Sequence, residues 1–221
     1  VEWHGRTAHA GATPWEGRSA LHAAEIFLVA ANMMREQILP TARMHYQILD
    51  GGQAVNVIPD YAKVLFRYRG PSADNVLENV KWIKDIAKGA GLATQTREEI
   101  TVLGGIYDCL QNDVLAQRMN DHMNRYFPIE WTDEEQAFAK SIQKEMGLPE
   151  DGMDTKVWPN PEGALMGGST EGDVSWSVPT GGMAFAAMPL GVAFHTWGVT
   201  ACVGMSIGHK AVVASAKTLA A

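Results

Sequence analysis

Leu21, Ala24, Phe27, Leu28, Ala31 and Met34 recur at helical spacing, so the stretch from about Gly17 to Ile38 is predicted as an amphipathic helix stopped near Pro40. From Arg43 to Leu49 the period changes to two. Met44, Tyr46 and Ile48 then share one face and Arg43, His45 and Gln47 the other, the pattern of a half-buried strand. Gly51 and Gly52 punctuate the chain, and Tyr61 to Arg69 alternates again, with Ala62, Val64, Phe66 and Tyr68 inward and Lys63, Arg67 and Arg69 outward. These two strands are expected to pair. Pro71 and Ser72 open a second helix whose Val76, Val80, Ile83 and Ala87 line one face, ending around Gly89 to Gly91.

A strand is expected from Thr94 to Leu103, and residues 1 to 8 supply the first one. The order is then β-α-β-β-α-β, the split βαβ or ferredoxin-like arrangement, with Gly104 and Gly105 closing a domain of residues 1–105. Beyond it, Asn112 is placed to cap a helix reaching about Tyr126, and Thr132 with Glu135 forms a capping box for another running to Met146. Residues 147–182 are rich in Gly, Pro, Asp and Asn, the composition of a long irregular stretch that carries function. Met183 to Met188 is expected as a short buried strand, and Ser206 as the cap of a last helix to Leu219.

Composition changes this picture little. With 221 residues, 46% hydrophobic and 19% charged, the chain reads as an ordinary α/β protein of two domains. A net charge of -7 with 18 scattered Lys and Arg argues against a nucleic-acid surface, which needs clustered cations. No segment approaches the ~18 unbroken apolar residues of a membrane span. Cys109 and Cys202 lie far apart without metal or redox spacing and are expected as buried free thiols in a reducing, cytoplasmic setting.

Four segments offer chemistry. GRTAHAGATPWEGRSAL holds His9 in a small-residue turn, where it is accessible but is as readily an exposed or capping histidine. GGQAVNVIPD puts Asn56 between a glycine-rich turn and Pro59, where an amide often serves only the turn. Arg67 and Arg69 share a strand face that is either a carboxylate grip or solvated charge. GALMGGSTEGDVSWSVPT gathers glycines around Ser169, Thr170, Glu171 and Asp173, so that backbone amides can approach a ligand; a structural turn is the equal alternative. FHTWG sets His195 where a neutral imidazole can ligate zinc, but zinc needs three or four ligands, and His4, His22, His45, His122 and His209 lack the spacing to join it.

Taken in order, GRTAHAGATPWEGRSAL, GGQAVNVIPDYAKVLFRYRG, GGSTEGDVSWSVPT and FHTWG followed by GHKAVVASAK resemble the successive blocks of the two-zinc peptidases and amidohydrolases of peptidase family M20. The resemblance is greatest to their aminobenzoyl-glutamate hydrolases. It implies a catalytic α/β domain interrupted by a ferredoxin-like dimerisation domain, so residues 106–221 are expected as the C-terminal part of the catalytic domain. By this resemblance His9 matches the histidine that crosses the dimer interface to stabilise the oxyanion, and Asn56 the asparagine assisting it. Arg69, or Arg67 on the same face, matches the carboxylate-binding arginine; Gly168, Ser169 and Thr170 form the substrate-contacting turn; His195 matches the last metal ligand.

The implied reaction is hydrolysis of the amide bond of an N-acyl or aminobenzoyl amino acid by water activated on a divalent metal, two zinc ions or manganese or cobalt in their place. The implied partners are a second copy bound through residues 1–105 and the small-molecule substrate. The other metal ligands and the glutamate base are expected in a further N-terminal segment of the protein or on another chain, so these 221 residues alone are expected to be inactive. The alternative is a non-catalytic dimerisation or ligand-binding module derived from this family.

Overall fold

The computed structural model describes residues 1–126, 129–158 and 170–221. They form two compact units, Val1–Asp108 and Cys109–Ala221.

The first unit is an α+β fold. β1 (Glu2–His4), α1 (Ala20–Met34), β2 (Arg43–Asp50), β3 (Tyr61–Arg69), α2 (Ala73–Thr94) and β4 (Arg97–Glu99) follow the predicted β-α-β-β-α-β order. The four strands make one antiparallel sheet in the order β2-β3-β1-β4. Ala24, Phe27, Leu28, Ala31 and Met34 of α1 are buried, and so are Ala62 and Val64 of β3, as their periods require. Trp3 is the centre of this core: its ring packs 5.2 Å from Phe27 and its indole N–H donates to the Ala87 carbonyl of α2. Ser19 and Ser72 cap α1 and α2 by accepting the His22 and Asn75 amides.

Three expectations for this unit are corrected. α2 runs through Gly89 and Gly91 and ends at Gln95, whose φ is 56°. Gly91 is buried where a β-carbon would stand 3.0 Å from a Glu98 carboxylate oxygen, so close packing against β4, not helix termination, explains it. β4 is three residues long and does not extend from Thr94 to Leu103. On β2 only Met44 is buried; Tyr46 and Ile48 stay exposed, because β2 is an edge strand and α1 covers only part of it.

In the second unit the described residues form helices: α3 (Asp113–Tyr126), α4 (Asp133–Glu145), α5 (Thr170–Ser175), α6 (Trp197–Val203) and α7 (Ser206–Ala220). Asn112 caps α3 and the Thr132–Glu135 capping box opens α4 as predicted. Ser206, however, is the first residue of α7 and does not cap it; its hydroxyl bonds Glu135. Glu135 also receives the Lys210 ammonium at 2.6 Å. Burial alone would push this carboxyl up, but the bonds from Lys210, Ser206 and the Thr132 amide outweigh it and hold the carboxyl below its ordinary value. Gln143, fully buried, accepts the Gly152 amide at 2.8 Å and donates to the Leu190 carbonyl at 2.8 Å, tying the loop after α4 to the chain before α6.

The α/β expectation for this unit is not met among the described residues. Met183–Met188 is not a strand. Its side chains do alternate: Phe185 and Ala187 pack with Ile129, Ala211 and Ala214, while Ala186 and Met188 pack with Ile142, Met153 and Cys202. It has the side-chain period of a strand but no ladder partner among the described residues. Cys202 is buried, and burial raises its thiol pKa; Cys109 is half-buried, not buried as expected. No single helix among the described residues is long and apolar enough to cross a membrane.

Candidate functional site

Residues 5–10 leave β1 as a strap held on both sides. Arg6 bridges Arg18 through amide bonds of 2.9 and 2.8 Å, and on the other side the Gly5, Ile58 and Ala10 amides donate to Asp60, Ala8 and Asn56 carbonyls at 2.7, 2.9 and 2.9 Å. Gly5 is required here, since a β-carbon would stand 2.0 Å from the Arg18 carbonyl oxygen. The Arg6 and Arg18 side chains reinforce the frame by bonding the Glu16 carbonyl and the Gln95 side chain.

This frame brings together two residues that lie far apart in sequence. His9 forms an isolated antiparallel bridge with Val57, the neighbour of Asn56, and both His9 and Asn56 are exposed. The His9 ring is fixed by its own turn: Nδ1 accepts the Gly11 and Ala12 amides, each at 3.1 Å. With Nδ1 occupied as an acceptor, the proton of the neutral ring sits on Nε2, and the side chain presents an N–H to solvent.

Arg67 and Arg69 project from the exposed face of β3, opposite the face that packs on the helices. The ladder sets Arg69 opposite Arg43 and Arg67 opposite His45. Further along the same face, Lys63 pairs with Glu2 at 2.8 Å, and Tyr61 donates to the same carboxylate. Those hydrogen bonds lower the Glu2 pKa and raise that of Lys63.

In the second unit His195 lies in a turn before α6, exposed, with φ of 64°. A left-handed histidine is uncommon and costs on the order of 1 kcal/mol, a strain that folds keep at functional positions. Phe194 and Trp197 beside it are 73% and 54% exposed. No group of three His, Cys, Asp or Glu side chains among the described residues is placed to hold a metal ion. The described residues therefore do not by themselves fit a two-zinc site, and His195 stands as a single accessible imidazole. Thr170 begins α5, while Gly168 and Ser169 lie outside the described residues. The Ser175 hydroxyl, which lies within the GGSTEGDVSWSVPT motif but is not among the residues singled out there, accepts the Leu110 amide and donates to the Gly172 carbonyl, anchoring α5.

Residues 1–94 match the peptidase dimerisation domain model of the M20 family. The chain carries an M20 peptidase dimerisation domain. It is 30% identical over 245 aligned positions, 98% of its length, to a p-aminobenzoyl-glutamate hydrolase component of Escherichia coli, of which it covers 51%. It is 37% identical to mouse Xaa-Arg dipeptidase over 55% of its length and 28% of that enzyme. Among solved structures, it is similar to an aminobenzoyl-glutamate utilization protein from Klebsiella pneumoniae, with a TM-score of 0.46 and 23% identity over 57% of this chain and 32% of that one. The chain thus spans about half the length of the Escherichia coli relative. A dimerisation domain implies self-association.

Proposed function

We propose that the chain is part of a metal-dependent amidohydrolase that cleaves the amide bond of an N-acyl or aminobenzoyl amino acid, contributing the dimerisation domain and the substrate-facing C-terminal residues. The observation that carries this reading is the His9 turn. An imidazole whose Nδ1 is held by two backbone amides is a preorganised Nε2–H donor, suited to an oxygen on which negative charge develops during amide hydrolysis. Asn56, brought alongside by the strap, adds an amide donor. Arg69 and Arg67 offer charge-assisted bonds to the carboxylate of the substrate. His195 would be one ligand of the divalent metal, which polarises the scissile carbonyl and activates water when bound; the remaining ligands would come from outside the described residues.

Self-association is proposed to run through β2. This edge strand spans Arg43–Asp50 and carries exposed Tyr46, Ile48 and Leu49, a long apolar edge of the kind that pairs with another strand. His9 would then serve the active site of the second copy.

The test is release of the amino acid from a panel of N-acyl amino acids by the intact protein, with and without a chelator. Turnover that the chelator abolishes and zinc restores is expected. No turnover on any N-acyl amino acid would overturn the reading in favour of a binding module.

A further inference from the structure

On the helix side of the sheet, away from the face that carries Arg67 and Arg69, the first unit holds a cleft of about 390 Å³. It lies between the connection from α1 to β2 and the first turns of α2, and its volume is in the range of small-molecule sites. Leu39, Pro40 and Trp82 give it apolar walls, Glu36, Glu78 and Asn79 its polar groups, and no lysine or arginine lines it. Neither glutamate belongs to an ion pair among the described residues. Arg35, the neighbour of Glu36, is engaged elsewhere: its guanidinium donates to the Asn32 side chain and the Met44 carbonyl, each at 3.0 Å. Asn79 is only 8% exposed. Its amide nitrogen donates to the Asn75 carbonyl at 2.8 Å, while its Oδ1 has no partner among the described residues. The Tyr68 hydroxyl donates to the Asn75 side chain, and burial together with the nearby Glu78 charge holds that phenol above its ordinary value. The Glu78 carboxylate therefore bears on the floor of the cleft.

Glu78 and Trp82 are four residues apart on α2 and so share one face of it. A cation resting on the indole, which is 40% exposed, is then within reach of a carboxylate. From this acceptor-rich, cation-free lining we propose that the cleft binds a small alkylguanidinium. The guanidinium plane stacks on Trp82, its N–H groups donate to the Glu78 and Glu36 carboxylates and to Asn79 Oδ1, and its alkyl stem lies on Leu39 and Pro40. A guanidinium suits this lining better than an ammonium because it is planar, stacks on aromatic faces, is more weakly hydrated and offers a carboxylate two parallel donors. Binding weakens as salt screens the two exposed carboxylates. The cleft lies within the first unit and takes no part in the proposed hydrolysis, so this inference and the hydrolase reading stand or fall separately.

The experiment is an NMR titration of the 221-residue chain with butylguanidinium, butylammonium and the neutral butylurea, following the backbone amides of residues 36–39 and 75–82. Butylguanidinium is expected to shift these amides saturably with a Kd of roughly 1 mM. Butylammonium is expected to bind about threefold weaker, since it lacks the stacking plane and the paired donors. Butylurea, with a similar shape and no charge, is expected to leave the amides unmoved. Glu78→Gln, at an exposed site, is expected to weaken butylguanidinium about threefold, the size that one exposed ion pair supports. Trp82→Leu is expected to bring the two cations to equal affinity, and Glu78→Gln keeps the test decisive if the loss of Trp82 disturbs the fold. Shifts by butylurea as large as by the cations, equal affinity of the two cations in the unaltered chain, undiminished affinity in Glu78→Gln, a preference that survives Trp82→Leu, or no saturable shift would each overturn the inference.

Discussion

His9 and Val57 form a two-residue antiparallel bridge that carries an exposed imidazole next to Asn56, across a separation of more than forty positions in sequence. The imidazole is oriented by its own turn, since Nδ1 accepts from Gly11 and Ala12. Nitrogen NMR is therefore expected to place the proton of the neutral form of the His9 ring on Nε2, and a neutral ring protonated on Nδ1 would remove the basis for an outward donor. In the intact protein His9→Ala is expected to lower kcat by roughly a hundredfold or more, the scale of losing one preorganised donor, with little change in thermal midpoint because the side chain is exposed.

The strap that holds His9 depends on Gly5. Gly5→Ala forces a β-carbon against the Arg18 carbonyl, and the first unit is expected to lose about 1–3 kcal/mol as the backbone shifts. Urea unfolding followed by Trp3 fluorescence measures it; an unchanged midpoint would show that the bridge between Arg6 and Arg18 is slack.

Glu135 supplies a pH signature in the second unit. Its carboxyl pKa is lowered from 4.5 in the fold, so its contribution is complete above the unfolded value and is lost as pH falls through the folded one. Stability of this unit should thus decline on acidification below about pH 4.5. Glu135→Gln keeps an acceptor for the capping box but removes the charge facing Lys210. It is expected to cost about 1 kcal/mol near neutrality and to flatten the acid limb. Denaturant titrations across about pH 3 to 7 check both, and an undiminished acid limb would assign it to other carboxylates.

Much of the first unit is legible in the sequence because its elements obey one period each: Phe27 and Met34 of α1 and Ala62 and Val64 of β3 are buried where the patterns put them. Tyr46 and Ile48 escape the pattern because alternation marks a face but does not tell an edge strand from a central one. The Arg43–Arg69 and His45–Arg67 rungs are out of reach for a related reason, since the register across the 51–60 connection follows from the β-bulge at Ile48–Asp50 and not from composition. In the second unit Met183–Met188 has the alternation of a strand but no neighbour to pair with among the described residues, a property that local sequence does not contain.

If β2 is the self-association edge, Ile48→Lys places a charge on it at little cost to the fold, since Ile48 is 47% exposed. Light scattering on the chain is expected to show a dimer that becomes a monomer in this variant. A dimer that persists would move the interface to another face.

If, as proposed, His9 of one copy and His195 of another serve one active site, mixing of protomers reveals it. Intact His9→Ala and His195→Ala proteins, each expected to be nearly inactive, are unfolded together, refolded and assayed on an N-acyl amino acid. If His9 acts across the dimer, random pairing restores one working site in half of the dimers, about a quarter of the original turnover. A mixture no more active than its two parents, or a His195→Ala protein with unchanged turnover, would contradict the account.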